Sequence, residues 1–282
     1  ILSTVRPSIC VILEAQGAFD RLRAFLCRLH YEAVYIIECV GRAGGVWLLK
    51  RMGSDFTCEV ICTYSRMVTI RVQRACYGWY FTALYANPYH PVRLVDWQHL
   101  QNTSLHIRGP WLVIGDWNEV LEVSENKDAD FHMGRAEALH ETLSICGLTT
   151  IHTIGDEYSW ERRGMAGITI RKRLDRAVAN ADWIRKWPDG MVEVMPRRCS
   201  DHNPLLVRYA RKMGWTDNKP FRWELAWSTH RLYEQVVSAA WDWEESGLTE
   251  RLSRVQDASQ DFNIHTFGNI QSRKRRTLRR LA

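Results

Sequence analysis

The sequence lacks the features that mark several large classes of protein. Its eight cysteines include no CxxC pair, so free buried thiols in a reducing compartment fit better than a disulfide framework or a zinc site. No apolar stretch approaches the roughly 18 residues of a membrane span, and no signal peptide is visible. The GxGxxG string and regular strand–helix alternation of a Rossmann fold are absent, as are internal repeats. We therefore predict an intracellular protein without membrane association, and no obligate protein partner is indicated.

Composition is that of an ordinary globular protein. Hydrophobic residues make up 46% and charged residues 25% of the 282 positions, which is enough for a substantial core in one large domain, with or without an appendage. The net charge of +6 is concentrated near the end of the chain, in Arg273, Lys274, Arg275, Arg276, Arg279 and Arg280. A basic end is compatible with nucleic acid, although a solvated helix face explains it equally well.

Hydrophobic periodicity predicts many strands and few helices in the first three quarters of the chain. Helical spacing occurs at 18–30, 91–106 and 133–146. Strand patterns occur at 8–14, 33–40, 45–50, 58–63, 67–73, 78–86, 111–114, 158–160, 173–179, 190–195 and 204–209. This mixture indicates an α/β or α+β layered sandwich. The pattern becomes helical after about residue 212, so we predict a core domain at 1–212 and a helical extension at 213–282.

Polar strings follow or precede several of these strands. They are Gly115-Asp116-Trp117-Asn118, Arg173-Leu174-Asp175-Arg176 and Ser200-Asp201-His202. Strand ends of α/β sheets are where functional sites gather. If the strings converge, they supply carboxylates, an amide and an imidazole, the groups needed for metal-assisted cleavage of a phosphate ester. Each string alone is also typical of a turn or a helix N-cap.

Phosphodiester cleavage assigns a task to each residue type. Carboxylates bind Mg²⁺, a further carboxylate accepts a proton from the attacking water, and an oriented histidine stabilises the transition state. Tyr85 is otherwise typical of a half-buried strand aromatic. The residues that cover these tasks at strand ends are Glu14, Asp116, Asn118, Asp175, Asp201 and His202.

The ordered combination of motifs resembles the endonuclease/exonuclease/phosphatase superfamily, and within it the endonuclease domain of plant non-LTR (LINE-type) retrotransposons. The matching strings include Leu84-Tyr85-Ala86-Asn87-Pro88, Gly115-Asp116-Trp117-Asn118-Glu119, Tyr158-Ser159-Trp160, Arg173-Leu174-Asp175-Arg176 and Ser200-Asp201-His202-Asn203-Pro204. Leu13-Glu14 is similar to that family's metal-ligand position, and residues 41–45 to its glycine-rich hairpin. The resemblance implies two packed mixed β-sheets flanked by helices in four layers.

The resemblance also implies a DNA-nicking activity and a role for each residue. Glu14 would bind Mg²⁺ or Mn²⁺, with Asp201 as a further acid near the metal. Asp116 would orient or deprotonate the water, and Asn118 and Tyr85 would contact the scissile phosphate. His202 would stabilise the transition state, oriented by Asp175. An active protein of this kind would work on DNA in the nucleus.

The two ends of the sequence bear on the resemblance in opposite ways. Phe221-Arg222-Trp223-Glu224 and residues 266–270 are similar to the helical connector that precedes the reverse transcriptase in these elements. At the front, the family's first strand ends in an asparagine that helps to bind metal, and residues 1–7 contain no asparagine. We therefore expect that this strand is missing. Two alternatives stay open: a catalytically inactive relic that at most binds nucleic acid, and, ranked last, a phosphatase or phospholipase of the same superfamily.

Overall fold

The computed structural model describes residues 2–15, 17–40, 43–75, 77–127, 130–163, 169–209, 225–241, 247–262 and 266. The chain forms two compact units, Ile1–Lys212 and Met213–Ala282. The first contains, in chain order, α1 (Leu2–Val5), β1 (Ile9–Leu13), α2 (Phe19–Arg28), β2 (Tyr31–Val40), β3 (Ala43–Arg51), β4 (Thr57–Tyr64), β5 (Met67–Arg74), β6 (Tyr77–Tyr85), α3 (His90–Ser104), β7 (Trp111–Asp116), β8 (Asn126–Lys127), α4 (Met133–Ile145), β9 (Leu148–Thr150), β10 (Thr153–Gly155), β11 (Trp160–Arg163), β12 (Thr169–Lys172), β13 (Asp175–Asn180), α5 (Ala181–Lys186), β14 (Met191–Val194) and β15 (Leu205–Arg208).

A six-stranded sheet forms the centre of the first unit, in the order β4-β5-β6-β7-β13-β9. The β6–β7 pair is parallel and the other pairs are antiparallel. The central strands are buried on both faces because other layers cover them, which explains the unbroken apolar run at the start of β7.

A second layer packs on one face of this sheet and consists of two smaller sheets. One has the order β1-β3-β2 and the other β10-β14-β15. Val46 and Leu48 of the first and Val192 of the second share one hydrophobic core with Ile70 and Phe81 of the central sheet. Burial of this apolar surface is the main force holding the layers together.

Helices cover the two outer faces. Leu26 of α2 packs with Trp47 and Leu49 on the far side of β3. Trp97 and Leu100 of α3 and Leu139 and Leu143 of α4 pack on the far face of the central sheet, against residues that include Trp111 and Val113. The layers run helix, sheet, sheet, helix, and this confirms the predicted fold class.

Four strands of the second layer, β1, β2, β10 and β15, each have an edge without a strand partner in the described part of the chain. Ile9, Val11 and Leu13 of β1 point into the central core, as do Leu205 and Val207 of β15. β1 lies against β7 and β15 against β13, two neighbouring strands of the central sheet. Every residue of β1 and of β15 is partly exposed, because each of these strands has one edge that no described strand covers.

The second unit contains the helices α6 (Leu225–Ser228), α7 (Tyr233–Ala240) and α8 (Leu248–Phe262). Trp227, Tyr233 and Phe262 form its small core, and the Tyr233 hydroxyl lies 2.9 Å from Ser259 Oγ. The basic cluster at 273–280 and most of the connector-like strings lie outside the described residues.

The structure confirms the three long helices and most of the strands expected from periodicity. The described cysteines are all free, but only Cys146 is buried. The expectation of buried thiols is wrong for Cys27 and Cys199, which are exposed, and the remaining four are partly exposed. Within the described ranges, no helix is both long and apolar enough to cross a membrane.

Candidate active site

Strand register places three of the predicted residues side by side at one end of the central sheet. Asp116, the last residue of β7, is the Cα partner of Tyr85 at the end of β6. On its other side it pairs with Asp175, the first residue of β13. Directly opposed residues on neighbouring strands have Cβ atoms about 5 Å apart. Two carboxylates and a phenol therefore lie side by side at the same end of the sheet, where the central strands β6 and β7 end and β13 begins.

The glycine before Asp116 is required by the closeness of β6. A Cβ atom at Gly115 would lie 1.8 Å from the backbone oxygen of Leu84. Any larger side chain would push β7 away from β6 and break the alignment of Asp116 with Tyr85.

His202 reaches the same place from the segment before β15. Its Nδ1 lies 2.7 Å from Asp175 Oδ2. Ser159, which is fully buried, supports this arrangement because its Oγ accepts a hydrogen bond from the backbone N–H of Asp175 at 2.7 Å. The backbone oxygen of Ser159 also accepts from Asn203 N, next to His202. Ser159 thereby fixes both members of the Asp175–His202 pair.

Asn118 folds back over Asp116. Its backbone is left-handed, with φ of 49°, a conformation that asparagine tolerates better than most residues. The backbone N–H donates to Asp116 Oδ1 at 2.8 Å, and Nδ2 donates to Asp116 Oδ2 at 3.0 Å and to the Ala86 oxygen at 2.7 Å. These bonds hold the Asn118 amide at the mouth of the site.

Glu14 joins the site from the end of β1. Tyr85 donates its hydroxyl hydrogen to Glu14 Oε1 at 2.7 Å. Glu14 also has a left-handed backbone, with φ of 52°. Burial, followed by the hydrogen bond to Glu14, raises the pKa of Tyr85, so the hydroxyl remains a donor.

Asp201 occupies a different position from the other acids. It is exposed, and its Oδ2 accepts a hydrogen bond from Trp160 Nε1 at 3.0 Å. It is near enough to His202 to raise the pKa of the imidazole, but it is not a member of the Asp116–Asp175–His202 group.

The electrostatics of the site favour a charged histidine and oppose a further negative charge. Burial alone would lower the pKa of His202, but the hydrogen bond and charge of Asp175, with Asp116 and Asp201, raise it to about 9. Burial first, and then the charge of Asp175, raise the pKa of Asp116. Excess negative charge near Asp116 is what a bound cation would relieve.

The donor atoms present suit a divalent cation. A carboxylate oxygen of Asp116 and one of Asp175 lie within 4.8 Å of each other and of a ring nitrogen of His202, which is protonated and offers a cation no lone pair. Glu14 is close enough to raise the pKa of Asp116 further, and one of its carboxylate oxygens remains beyond the Tyr85 bond. Oxygen-rich sites of this kind match the preferences of Mg²⁺ and Mn²⁺.

The structure brings together Tyr85, Asp116, Asn118, Asp175 and His202, with Glu14 beside Tyr85. Sequence reasoning missed the supporting residues Ser159, Arg93 and Arg176, whose bonds join segments far apart in the chain. The Ser159-Trp160 and Arg173-Leu174-Asp175-Arg176 strings were signals for Ser159 and Arg176, while a lone arginine in a helix, such as Arg93, gives none.

Comparison with known proteins identifies the family. The model of the Endonuclease/Exonuclease/phosphatase family matches residues 2–202. The chain belongs to this family. Nuclease and phosphatase chemistry is thereby indicated as a class, and the Asp116–Asp175–His202 group lies within the matched segment or at its last residue.

Solved structures share the fold of this family member at low sequence identity. The endonuclease domain of TRAS1, a telomere-specific non-LTR retrotransposon, has a TM-score of 0.56 and 17% identity, over 75% of this chain and 90% of that one. The 3′ phosphatase NExo from Neisseria, bound to a product DNA hairpin, has a TM-score of 0.57 and 17% identity, over 74% of this chain and 91% of that one. An AP endonuclease from Archaeoglobus fulgidus has a TM-score of 0.56 and 17% identity, over 74% of this chain and 91% of that one. No curated protein sequence matches the chain.

Proposed function

We propose that this chain is the endonuclease domain of a retroelement-derived protein and hydrolyses a phosphodiester bond of DNA with the help of Mg²⁺ or Mn²⁺. The observation that carries the proposal is the convergence of Asp116, Asp175 and His202, with Asn118 and Tyr85 beside them, at one end of the central sheet. The TRAS1 likeness supports a retroelement origin, and the motifs resemble those of plant elements.

Each residue has a task consistent with its contacts. A bound cation would supply charge neutralisation at the phosphate and would be held by Glu14 with the neighbouring acids. Asp116 is placed to orient or deprotonate the attacking water. His202, kept protonated by Asp175, stabilises charge on the phosphoryl oxygens. Asn118 and Tyr85 would each donate to a bound phosphate by exchanging a present acceptor, Asp116 Oδ2 for Asn118 and Glu14 Oε1 for Tyr85. Asp201 is a further acid beside His202.

Basic side chains near the site suit a nucleic-acid substrate. The β11–β12 hairpin carries Arg162, Arg163, Arg171 and Lys172 next to Trp160. Arg162 and Arg163 are exposed. Such groups bind phosphates with little sequence preference, and binding of this kind weakens as salt is raised. We propose nuclear DNA as the substrate on this basis.

The second candidate function is a catalytically inactive relic that at most binds nucleic acid. It is favoured by the edges of β1 and β15 that have no partner strand among the described residues, although both strands face the same core.

Plasmid nicking separates the two candidates. Supercoiled plasmid is incubated with the purified chain and Mg²⁺, with EDTA as the blank, and the open-circle product is quantified. The endonuclease proposal predicts Mg²⁺-dependent nicking that is lost when Asp116→Ala and His202→Ala are combined. Asp182→Asn, at a partly exposed position on α5, and His106→Gln, at an exposed position after α3, serve as matched controls. Equal nicking by the wild type and the site variant would rule out the enzymatic proposal.

A further inference from the structure

Two buried arginine–glutamate pairs lie beneath the candidate site. The side chains of Arg93 and Glu119 are 2% and 9% exposed, and those of Arg176 and Glu125 are 0% and 13% exposed. Taking charges out of water is costly, and a buried ion pair is often no more stabilising than apolar residues of the same volume. Stability alone therefore gives no reason for two such pairs in one place.

Arg93 connects helix α3 to the loop that follows Tyr85. Its Nη1 donates to the backbone oxygens of Asn87 at 2.7 Å and Pro88 at 2.9 Å. Asp96, one turn further along α3, accepts from the backbone N–H of Asn87 at 2.7 Å. Helix α3 thus fixes the 86–89 loop in two ways: Arg93 donates to the loop's backbone oxygens, and Asp96 accepts from the loop's backbone N–H.

The other end of the Arg93 guanidinium reaches the loop that carries Asn118. Its Nη2 donates to Glu119 Oε2. The two loops are also joined directly, because Asn118 Nδ2 donates to the Ala86 oxygen and Ala86 N donates to the Asp116 oxygen. Any movement of the 86–89 loop would therefore displace the acceptor that orients the Asn118 amide.

Arg176 holds Glu119 from the opposite side. Its Nη2 donates to the Glu119 backbone oxygen at 3.0 Å and to the Arg173 oxygen at 2.8 Å. It forms a two-point contact with Glu125, whose Oε2 also accepts from Leu121 N. Glu119 is thus held through its side chain by one arginine and through its backbone by the other.

We propose that Arg93 and Glu119 are positioning residues of the site: the pair sets the distance between the 86–89 and 117–121 loops and so holds the Asn118 amide where a substrate phosphate would bind. The inference rests on the proposed function, and neither residue contacts the substrate itself. The planar guanidinium is essential, because a lysine ammonium cannot make the same fork of bonds to two backbone oxygens and a carboxylate.

Two substitutions separate positioning from stability. Arg93→Lys keeps the charge and loses the fork. The double variant Arg93→Met with Glu119→Leu removes both charges, so no buried charge is left unpaired, and only the Asn87 and Pro88 oxygens lose a donor. Arg185→Lys, in an exposed ion pair with Asp182 on α5, is the matched control. Plasmid nicking in Mg²⁺ gives kcat and KM, and NMR gives the side-chain amide resonances of Asn118.

The expected result is a fall in kcat on the order of 100-fold for both Arg93 variants, since a displacement of about 1 Å in a positioned group has that effect. KM and the fraction folded stay near the wild-type values, and the Asn118 amide resonances shift toward those of a free side chain. The Arg185→Lys control leaves both kcat and the Asn118 amide resonances unchanged.

The outcomes also distinguish this inference from the proposed function. If the wild type does not nick DNA, the proposed function fails, and the Asn118 resonances alone decide the positioning role. An unchanged Asn118 resonance in the folded double variant overturns the inference whatever the activity. The inference is also overturned if the activity of the Arg93 variants falls only in proportion to the fraction of protein that is unfolded.

Discussion

Asp175 is the Cα partner of Asp116 across the antiparallel β7–β13 pair, and the same carboxylate lies 2.7 Å from His202 Nδ1. One strand register thus places two acids opposite each other and orients the imidazole from a third segment. Burial, and then the charge of Asp175, raise the pKa of Asp116, and the charge of His202 partly offsets the rise. The site is therefore a coupled group rather than three independent residues.

The first prediction concerns pH-dependent stability of the Asp175–His202 pair. The pKa of His202 in the folded chain is about 9, above its ordinary value of 6.5. The interaction therefore contributes its full stabilisation below about pH 6.5 and loses it as the pH rises through about 9. Allowing for partial exposure, the loss should be on the order of 1–2 kcal/mol.

Urea unfolding in EDTA at pH 6 and pH 10, for the wild type and His202→Gln, measures this contribution. The free energy difference between the two proteins should shrink at the higher pH. A difference that stays constant between the two pH values would show that His202 is not held as a cation by Asp175.

The second prediction concerns Gly115. A methyl group there would lie 1.8 Å from the Leu84 oxygen, so Gly115→Ala should destabilise the fold by about 3 kcal/mol or more. Gly134 in α4 has no atom within 4 Å of an added Cβ, and Gly134→Ala should be neutral or stabilise the fold by about 0.5–1 kcal/mol. Thermal unfolding of the Gly115→Ala and Gly134→Ala variants checks both expectations. Equal changes in stability for the two variants would contradict the close approach of β6 to β7.

The third prediction concerns metal binding. A cation that binds only the folded chain should stabilise it by about 2.7 kcal/mol at a concentration 100 times its Kd. Mn²⁺ should raise the melting temperature of the wild type, and EDTA should reverse the change. Asp116→Asn should weaken the effect, while Asp182→Asn on α5 should preserve it. An identical Mn²⁺ response in the two variants would place the cation elsewhere.

The fourth prediction concerns the Tyr85 hydroxyl. Tyr85→Phe removes the bond to Glu14 Oε1 and should cost about 1 kcal/mol of stability. If the hydroxyl donates to the phosphate, kcat for nicking should fall far more than this small stability change accounts for. Steady-state nicking kinetics with a parallel urea titration provide the test. Unchanged kcat in the folded variant would limit Tyr85 to supporting Glu14.

Much of this architecture could be read from local sequence. The apolar run 111–114 predicted strand β7, because full burial on both faces requires such a run. Helical spacing predicted α2, α3 and α4. The short strands β8, β9, β10 and β12 were missed, because two to four residues carry too little periodicity to be recognised.

Residue types at strand ends indicated the chemical groups of the candidate site, and the family resemblance supplied a role for each residue. The register that opposes Asp175 to Asp116 depends on long-range pairing, which no local pattern encodes. The same limit hid Ser159 and the Arg93–Glu119 pair, whose partners are 16 and 26 positions away. The motifs identified the residues that carry the chemistry, and tertiary packing determines what those residues contact.

The central claim is that Asp116, Asp175 and His202 act as one phosphodiesterase unit, and a double-mutant cycle on Asp175 and His202 tests it most directly. Nicking rates in Mg²⁺ are measured for the wild type, Asp175→Asn, His202→Gln and the double variant. Residues that act as a unit are strongly non-additive, so the double variant should be about as slow as the slower single variant. Losses that multiply, or a double variant as fast as the wild type, would contradict the account.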